Sequence, residues 1–279
     1  MPERARLEAL ALAGDLPGVL LDAKRLAASA PGAHGRRRAG QGEAFWQYRD
    51  HRPEDGARLV DWRRSARGDR YYVREREREA AQTAWFWLDP EPGFNWSSDR
   101  ARPTKLYRAR TLALALAILL ARGGERVGAL GQPSRAGARA PERLAHDFLA
   151  PVGDVDAPAR ACLVFLSDFY APVETWRARL SAAASAGASG ALVMIADPAE
   201  EDFPFEGRTL FQAPGGKQEA LLGRAESVRE DYAVRLQAHR HAIHEIGARL
   251  GFPMIQHRTD HAAGPSLAML MALVSERFA

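Results

Sequence analysis

Three short apolar runs, each ending in an aspartate, constrain this chain more than any other feature. They are Ala84-Trp85-Phe86-Trp87-Leu88-Asp89, Ala161-Cys162-Leu163-Val164-Phe165-Leu166-Ser167-Asp168 and Ala191-Leu192-Val193-Met194-Ile195-Ala196-Asp197. Continuous apolar runs of this length read as strands buried on both faces. Helical patterns alternate with them: Lys105 to Arg122, stopped by Gly123-Gly124, then Pro141 to Leu149 and Pro172 to Ala186. Further strands are expected at Arg126 to Leu130, Arg208 to Ala213 and Pro253 to His257, with helix over most of Gly216 to Leu250 and over Gly264 to Arg277. Such alternation builds an α/β domain around a mainly parallel sheet covered on both sides. Ligands of these sheets gather at the C-terminal ends of the strands, where Asp89, Asp168 and Asp197 all stand.

The N-terminal part differs in character. Glu3 to about Ala28 reads as helix, with its apolar spacing broken at Gly14 and Pro17, and Ala30 to Gly42 as a basic, glycine-rich loop. From Gly40 to Ala80 the chain reads GQGEAFWQYRDHRPEDGARLVDWRRSARGDRYYVREREREA, with large rings set among arginines. Its end alternates Arg74, Arg76 and Arg78 with Glu75, Glu77 and Glu79; a strand would put the arginines on one face and the glutamates on the other. Arg58, Arg63, Arg64, Arg67, Arg70 and Arg74 beside Trp62, Tyr71 and Tyr72 have the composition of a single-stranded nucleic-acid surface. The acids among them (Asp50, Glu54, Asp55, Asp61 and Asp69) favour internal Arg–carboxylate pairs over that reading.

This stretch resembles the signature of the DUF58 proteins. The residues that carry the resemblance are Gly40, Gly42, Glu43, Phe45, Tyr48, Arg49, Pro53, Asp55, Arg58, Asp61, Trp62, Ser65, Ala66, Arg67, Tyr72, Val73, Arg74 and Glu75, in order. Looser similarity runs from about Val19 to the C-terminus. The resemblance implies a three-layer, Rossmann-like von Willebrand A-like domain over 80–279. Residues 1–79 would form an N-terminal helix and a β-containing signature subdomain that packs against it. Arg49, Arg58, Asp61, Trp62, Arg63, Arg67 and Arg74 are its candidate binding residues.

A von Willebrand A domain commonly holds a divalent cation through Asp-x-Ser-x-Ser after its first strand, a later Thr, and an Asp after its fourth strand. Here the matching segment is Asp89-Pro90-Glu91-Pro92-Gly93, so both serine positions have lost their hydroxyls, and the later Asp matches Asp168. Two readings follow for Asp89, Glu91 and Asp168. Glu91 completes an altered site for Mg2+ or Mn2+, which want six oxygen ligands. Alternatively the site is degenerate, no cofactor binds, and the rim is a metal-free contact surface; this is the favoured reading.

No nucleotide-binding or nucleophile-elbow motif is present, and His239-Arg240-His241-Ala242-Ile243-His244 lacks a third zinc ligand. The expectation is therefore a non-enzymatic module. By resemblance, its partners would be a MoxR-type AAA+ ATPase and a client protein in chaperone-like maturation or a stress response. The alternative is an acidic-surface or nucleic-acid binder using the arginine-rich signature. The net charge of +4 lies wholly within Met1 to Thr83, with 17 Lys/Arg against 13 Asp/Glu, which suits an acidic partner or a solvated ion-pair network equally. One cysteine, Cys162, excludes an intrachain disulfide framework and fits the reducing cytoplasm. The N-terminus has no secretory pattern, and the apolar run Thr111 to Ala121 falls short of the roughly twenty residues needed to span a bilayer.

Overall fold

The structure, a computed structural model, describes residues 2–30, 45–51, 60–66, 68, 70–76, 82–150, 156–213 and 219–278, with the segments 2–15, 45–49 and 73–76 taken as backbone alone. Helix α1 spans Pro2–Ser29, and strand β1 (Phe45–Asp50) is followed by the short helix α2 (Trp62–Ser65) and strand β2 (Tyr72–Arg76). Next come β3 (Thr83–Leu88), α3 (Lys105–Arg122), β4 (Arg126–Ala129), α4 (Ala140–Asp147), β5 (Cys162–Ser167), α5 (Val173–Ser185), β6 (Ser189–Ala196) and α6 (Pro198–Asp202). The chain closes with β7 (Thr209–Gln212), β8 (Glu219–Leu222), α7 (Arg229–Arg249), β9 (Met254–Arg258) and α8 (Ala263–Arg277). Two compact units result, one of Met1–Gly35 with Gln82–Ala279 and one of Arg36–Ala81.

The larger unit is a three-layer α/β sandwich. Its five-stranded sheet has the order β4-β3-β5-β6-β9, and every neighbouring pair is parallel. Strand pleating sorts side chains to alternate faces. Ala84, Phe86, Leu88, Val164, Leu166, Val193 and Ile195 belong to a core shared with the buried faces of α1, α3, α4 and α8. Trp87, Leu163, Phe165, Leu192 and Met194 share a second core with Trp176 and Leu180 of α5 and Ile243 and Ile246 of α7. Cys162 lies in the first core, and burial pushes its thiol up to about 12. Glycine is required at position 190, where a Cβ would lie 1.8 Å from the Leu163 carbonyl oxygen of the paired strand.

Helix α1, placed by the sequence reading in segment 1–79, has its buried face in this core: Leu16, Val19, Ala23 and Ala27 are 5, 0, 0 and 0% exposed. It runs unbroken through Pro17, although an interior proline costs about 3 kcal/mol. A second difference falls in Gly216 to Leu250. Glu219–Leu222 is a strand, paired antiparallel with β7 so that Leu210 faces Leu221, and the helix begins only at Arg229. No helix among the described residues is long and apolar enough to cross a membrane.

In the smaller unit β1 and β2 pair antiparallel, with Tyr48 opposite Arg74 and Arg49 opposite Val73. The alternating Arg/Glu text is therefore strand through Arg76; residues 77–80 lie outside the described residues.

Candidate functional site

The C-terminal edge of the parallel sheet collects the charged groups of the larger unit. Asp89, Asp168 and Asp197 each follow directly on β3, β5 and β6 and are 7, 9 and 0% exposed. Burying a carboxylate requires hydrogen-bond donors or a cation, and each has a different solution. Asp89 accepts the Glu91 amide at 2.9 Å on one oxygen and the Ser167 hydroxyl on the other. Ser167 in turn accepts the Phe169 amide at 2.8 Å. Desolvation nevertheless holds the Asp89 carboxyl above the usual carboxylate range, with the nearby charges of Asp168 and Glu91 adding to the rise.

Asp197 caps α6. It accepts Ala199 N at 2.9 Å and Ser98 N at 3.0 Å, while its own amide donates to Glu200 at 3.0 Å, closing a capping box. Asp168 is paired instead with a lysine. Lys105, the first residue of α3, is 1% exposed, and its Nζ donates to Asp168 Oδ2 at 2.8 Å and to Glu200 Oε1. The remaining Asp168 oxygen accepts the Tyr170 amide at 3.1 Å. Burial raises the Glu200 carboxyl, and Lys105 opposes that rise.

Two aromatic rings stand over the ammonium. Trp96 and Tyr170 have centroids 5.9 and 5.2 Å from Lys105 Nζ, within cation–π range. They are 41 and 37% exposed. The acids of α6 extend the network outward. Glu201 pairs with Arg240 at 2.8 Å and with Arg258 at 3.3 Å, and Arg258 also holds Asp202 and Asp260. His239 Nε2 is bonded to the Phe169 carbonyl at 2.7 Å.

The structure thus brings Asp89 and Asp168 onto adjacent strands, linked through Ser167. Glu91 is exposed and reaches Asp89 by its amide. Among the described residues no three His, Cys, Asp or Glu side chains form a group able to hold a metal ion. Sequence reasoning missed Lys105, Ser167 and the role of Glu200. A signal for Lys105 existed: a lone lysine opens an apolar helix at its N-terminus, where the helix dipole disfavours a cation, so an acidic partner is needed.

The predicted signature residues belong to the smaller unit. Asp61 caps α2, accepting Arg64 N at 3.1 Å. Trp62 is 59% exposed and meets Tyr71 edge-on at 5.9 Å, and Arg63 is exposed on the same short helix. Arg70 pairs with Asp50 at 3.7 Å, and Arg64 lies 5.4 Å from the Tyr72 ring centroid. Arg49 and Arg74 lie on β1 and β2, whereas Arg58 and Arg67 lie outside the described residues.

Comparison with protein families matches residues 47–242 to the family described as "Protein of unknown function DUF58". The chain belongs to the DUF58 family. The matched span takes in α2 and its neighbours and, with them, Asp89, Lys105, Asp168, Asp197 and Glu200. This DUF58 protein is similar to uncharacterized proteins Rv1480 of Mycobacterium tuberculosis and Mb1516 of Mycobacterium bovis. Each is 25% identical over 245 residues, covering 79% of this chain and 76% of the relative. Among solved structures, conserved hypothetical protein BatB from Bacteroides thetaiotaomicron matches at 12% identity and a TM-score of 0.36, over 70% of this chain and 100% of that one.

Proposed function

We propose that this DUF58 protein is a non-enzymatic interaction module with a von Willebrand A-like domain whose contact surface is the C-terminal rim of its parallel sheet. On this reading its partner is a MoxR-type AAA+ ATPase of the cytoplasm. The ATPase supplies the energy, and the module recognises a client or couples it to chaperone-like maturation or a stress response. The observation that carries the reading is the division of labour at the rim. Asp89, Asp168, Asp197 and Glu200 are engaged by internal donors, so they are poorly placed to take a proton from a substrate. Trp96 and Tyr170 meanwhile are partly exposed over the Lys105 ammonium, and Trp and Tyr are, with Arg, the side chains that most often dominate binding energy at protein interfaces.

The test is retention of the ATPase on the immobilised protein with a non-hydrolysable ATP analogue. The double variant Trp96→Ala/Tyr170→Ala is expected to weaken retention at least tenfold, about 1.4 kcal/mol, with the melting temperature within a few degrees of wild type. Undiminished binding by the variant would sink the rim as the contact, and a wild-type protein that holds no such ATPase would sink the partner.

A second reading has its own support, the exposed Trp62–Tyr71 pair beside Arg63 and Arg64. It assigns the signature unit to nucleic acid or another acidic surface. Binding to a single-stranded oligonucleotide should then fall steeply between about 50 and 200 mM salt. Absent or salt-independent binding removes this alternative.

A further inference from the structure

We propose that the Lys105 ammonium is the resident cation of the strand-end rim, bridging the loop after β5 and the helix α6 that follows β6 in place of a divalent metal ion. The observations converge from both sides of the contact. On the lysine side, Lys105 is almost fully buried and sits at the N-terminus of an 18-residue helix. That position disfavours a positive charge, and removing an ammonium from water is costly unless it is paired. Such a placement is stable only where acids pair the ammonium, as Asp168 and Glu200 do here.

On the acid side, both partners are set for one monovalent donor. Asp168 gives one oxygen to Lys105 and the other to the Tyr170 amide. Glu200 gives one to Lys105 and the other to the Asp197 amide. Asp89 spends its two oxygens on the Ser167 hydroxyl and the Glu91 amide. A small divalent cation asks for about six oxygens at roughly 2.1 Å. The donor set does not fit it, because every carboxylate oxygen of Asp89, Asp168 and Glu200 already faces a donor and a +1 charge occupies the space between two of the acids. Trp96 and Tyr170 close the ammonium from above, as rings close over a bound cation.

The inference stands independently of any ATPase partner, and its failure is read in a different experiment. Wild type, Lys105→Ala and Lys105→Ala/Asp168→Asn are titrated with Mn2+ alone, following free Mn2+ by electron paramagnetic resonance and the melting temperature in parallel. Wild type is expected to show no saturable Mn2+ site and no thermal shift. Lys105→Ala should melt several degrees lower and bind Mn2+ at least tenfold more tightly than wild type. That binding should restore part of the lost melting temperature, and the added Asp168→Asn change should abolish it. Saturable Mn2+ binding by wild type would overturn the proposal, as would Lys105→Ala keeping the wild-type melting temperature. If Lys105→Ala does not fold, Lys105→Met, which keeps the length of the side chain but not its charge, takes its place in the melting comparison, and the wild-type titration still decides.

Discussion

A buried ionisable residue is informative because its environment must explain it. Lys105 has two acids and two rings, and Asp89 has a hydroxyl and an amide. His257 has a different solution. At 4% exposure on β9 it is bonded through Nδ1 to Ser266 at 2.9 Å, and its Nε2 has no partner among the described residues. Desolvation, the Arg108 guanidinium of α3 and His261 drive it from 6.5 down to about 4, against the smaller opposing pull of Asp260. A histidine whose folded pKa lies below its unfolded value stays neutral when folded while the unfolded chain takes up a proton. Stability is therefore full above the unfolded pKa and is lost as pH falls from about 6.5 towards 4. The loss from this one group reaches about 3 kcal/mol at pH 4. Urea melts across that interval should show the slope, and His257→Gln should flatten it by a similar amount. An identical slope in the variant would place the acid sensitivity elsewhere.

At the scale of elements, legibility followed the range of the interactions. The strands ending at Asp89, Asp168 and Asp197 were readable because burial on both faces writes a continuous apolar run into the sequence, and α3 because Gly123-Gly124 marks its end. β8 was not readable. Glu219, Ala220 and Leu221 are good helix formers, and only their antiparallel pairing with β7, Gln212 opposite Glu219 and Thr209 opposite Leu222, makes them a strand. The helix expected over Glu3 to about Ala28 was readable too, and burial of Leu16, Val19, Ala23 and Ala27 holds it together through Pro17. The site was half legible. Its aspartates announce themselves at strand ends, but Lys105 and Glu200 meet across 95 residues, and nothing local in a short helix such as Pro198–Asp202 says which cation its acids hold.

At the scale of the molecule, the chain returns to one fold after a detour. The larger unit is built from Met1–Gly35 and Gln82–Ala279, with Arg36–Ala81 between them as a compact unit of its own. α1 is therefore part of the core although the signature stretch separates it from β3. It packs on α3, α4 and α8, and Asp22 accepts the Tyr107 hydroxyl at 2.8 Å while Lys24 pairs with Glu142 at 3.1 Å. Losing it uncovers apolar surface worth about 25 cal/mol per Å2, on a helix layer that includes Leu112, Leu116 and Leu120. Two deletions should then behave oppositely. Replacing 36–81 with a flexible Gly/Ser linker of about 15 residues, able to reach some 50 Å when extended, should leave a cooperative thermal transition and the far-ultraviolet signature of the α/β unit. Deleting 1–30 should lower the melting temperature by more than about 10 °C or abolish the transition, because several buried side chains lose their cover at once. If the α1 deletion melts as wild type does, the helix is an appendage rather than core. If the linker variant fails to fold, the larger unit depends on the signature unit for its stability, and the two would have to be treated as one cooperative structure.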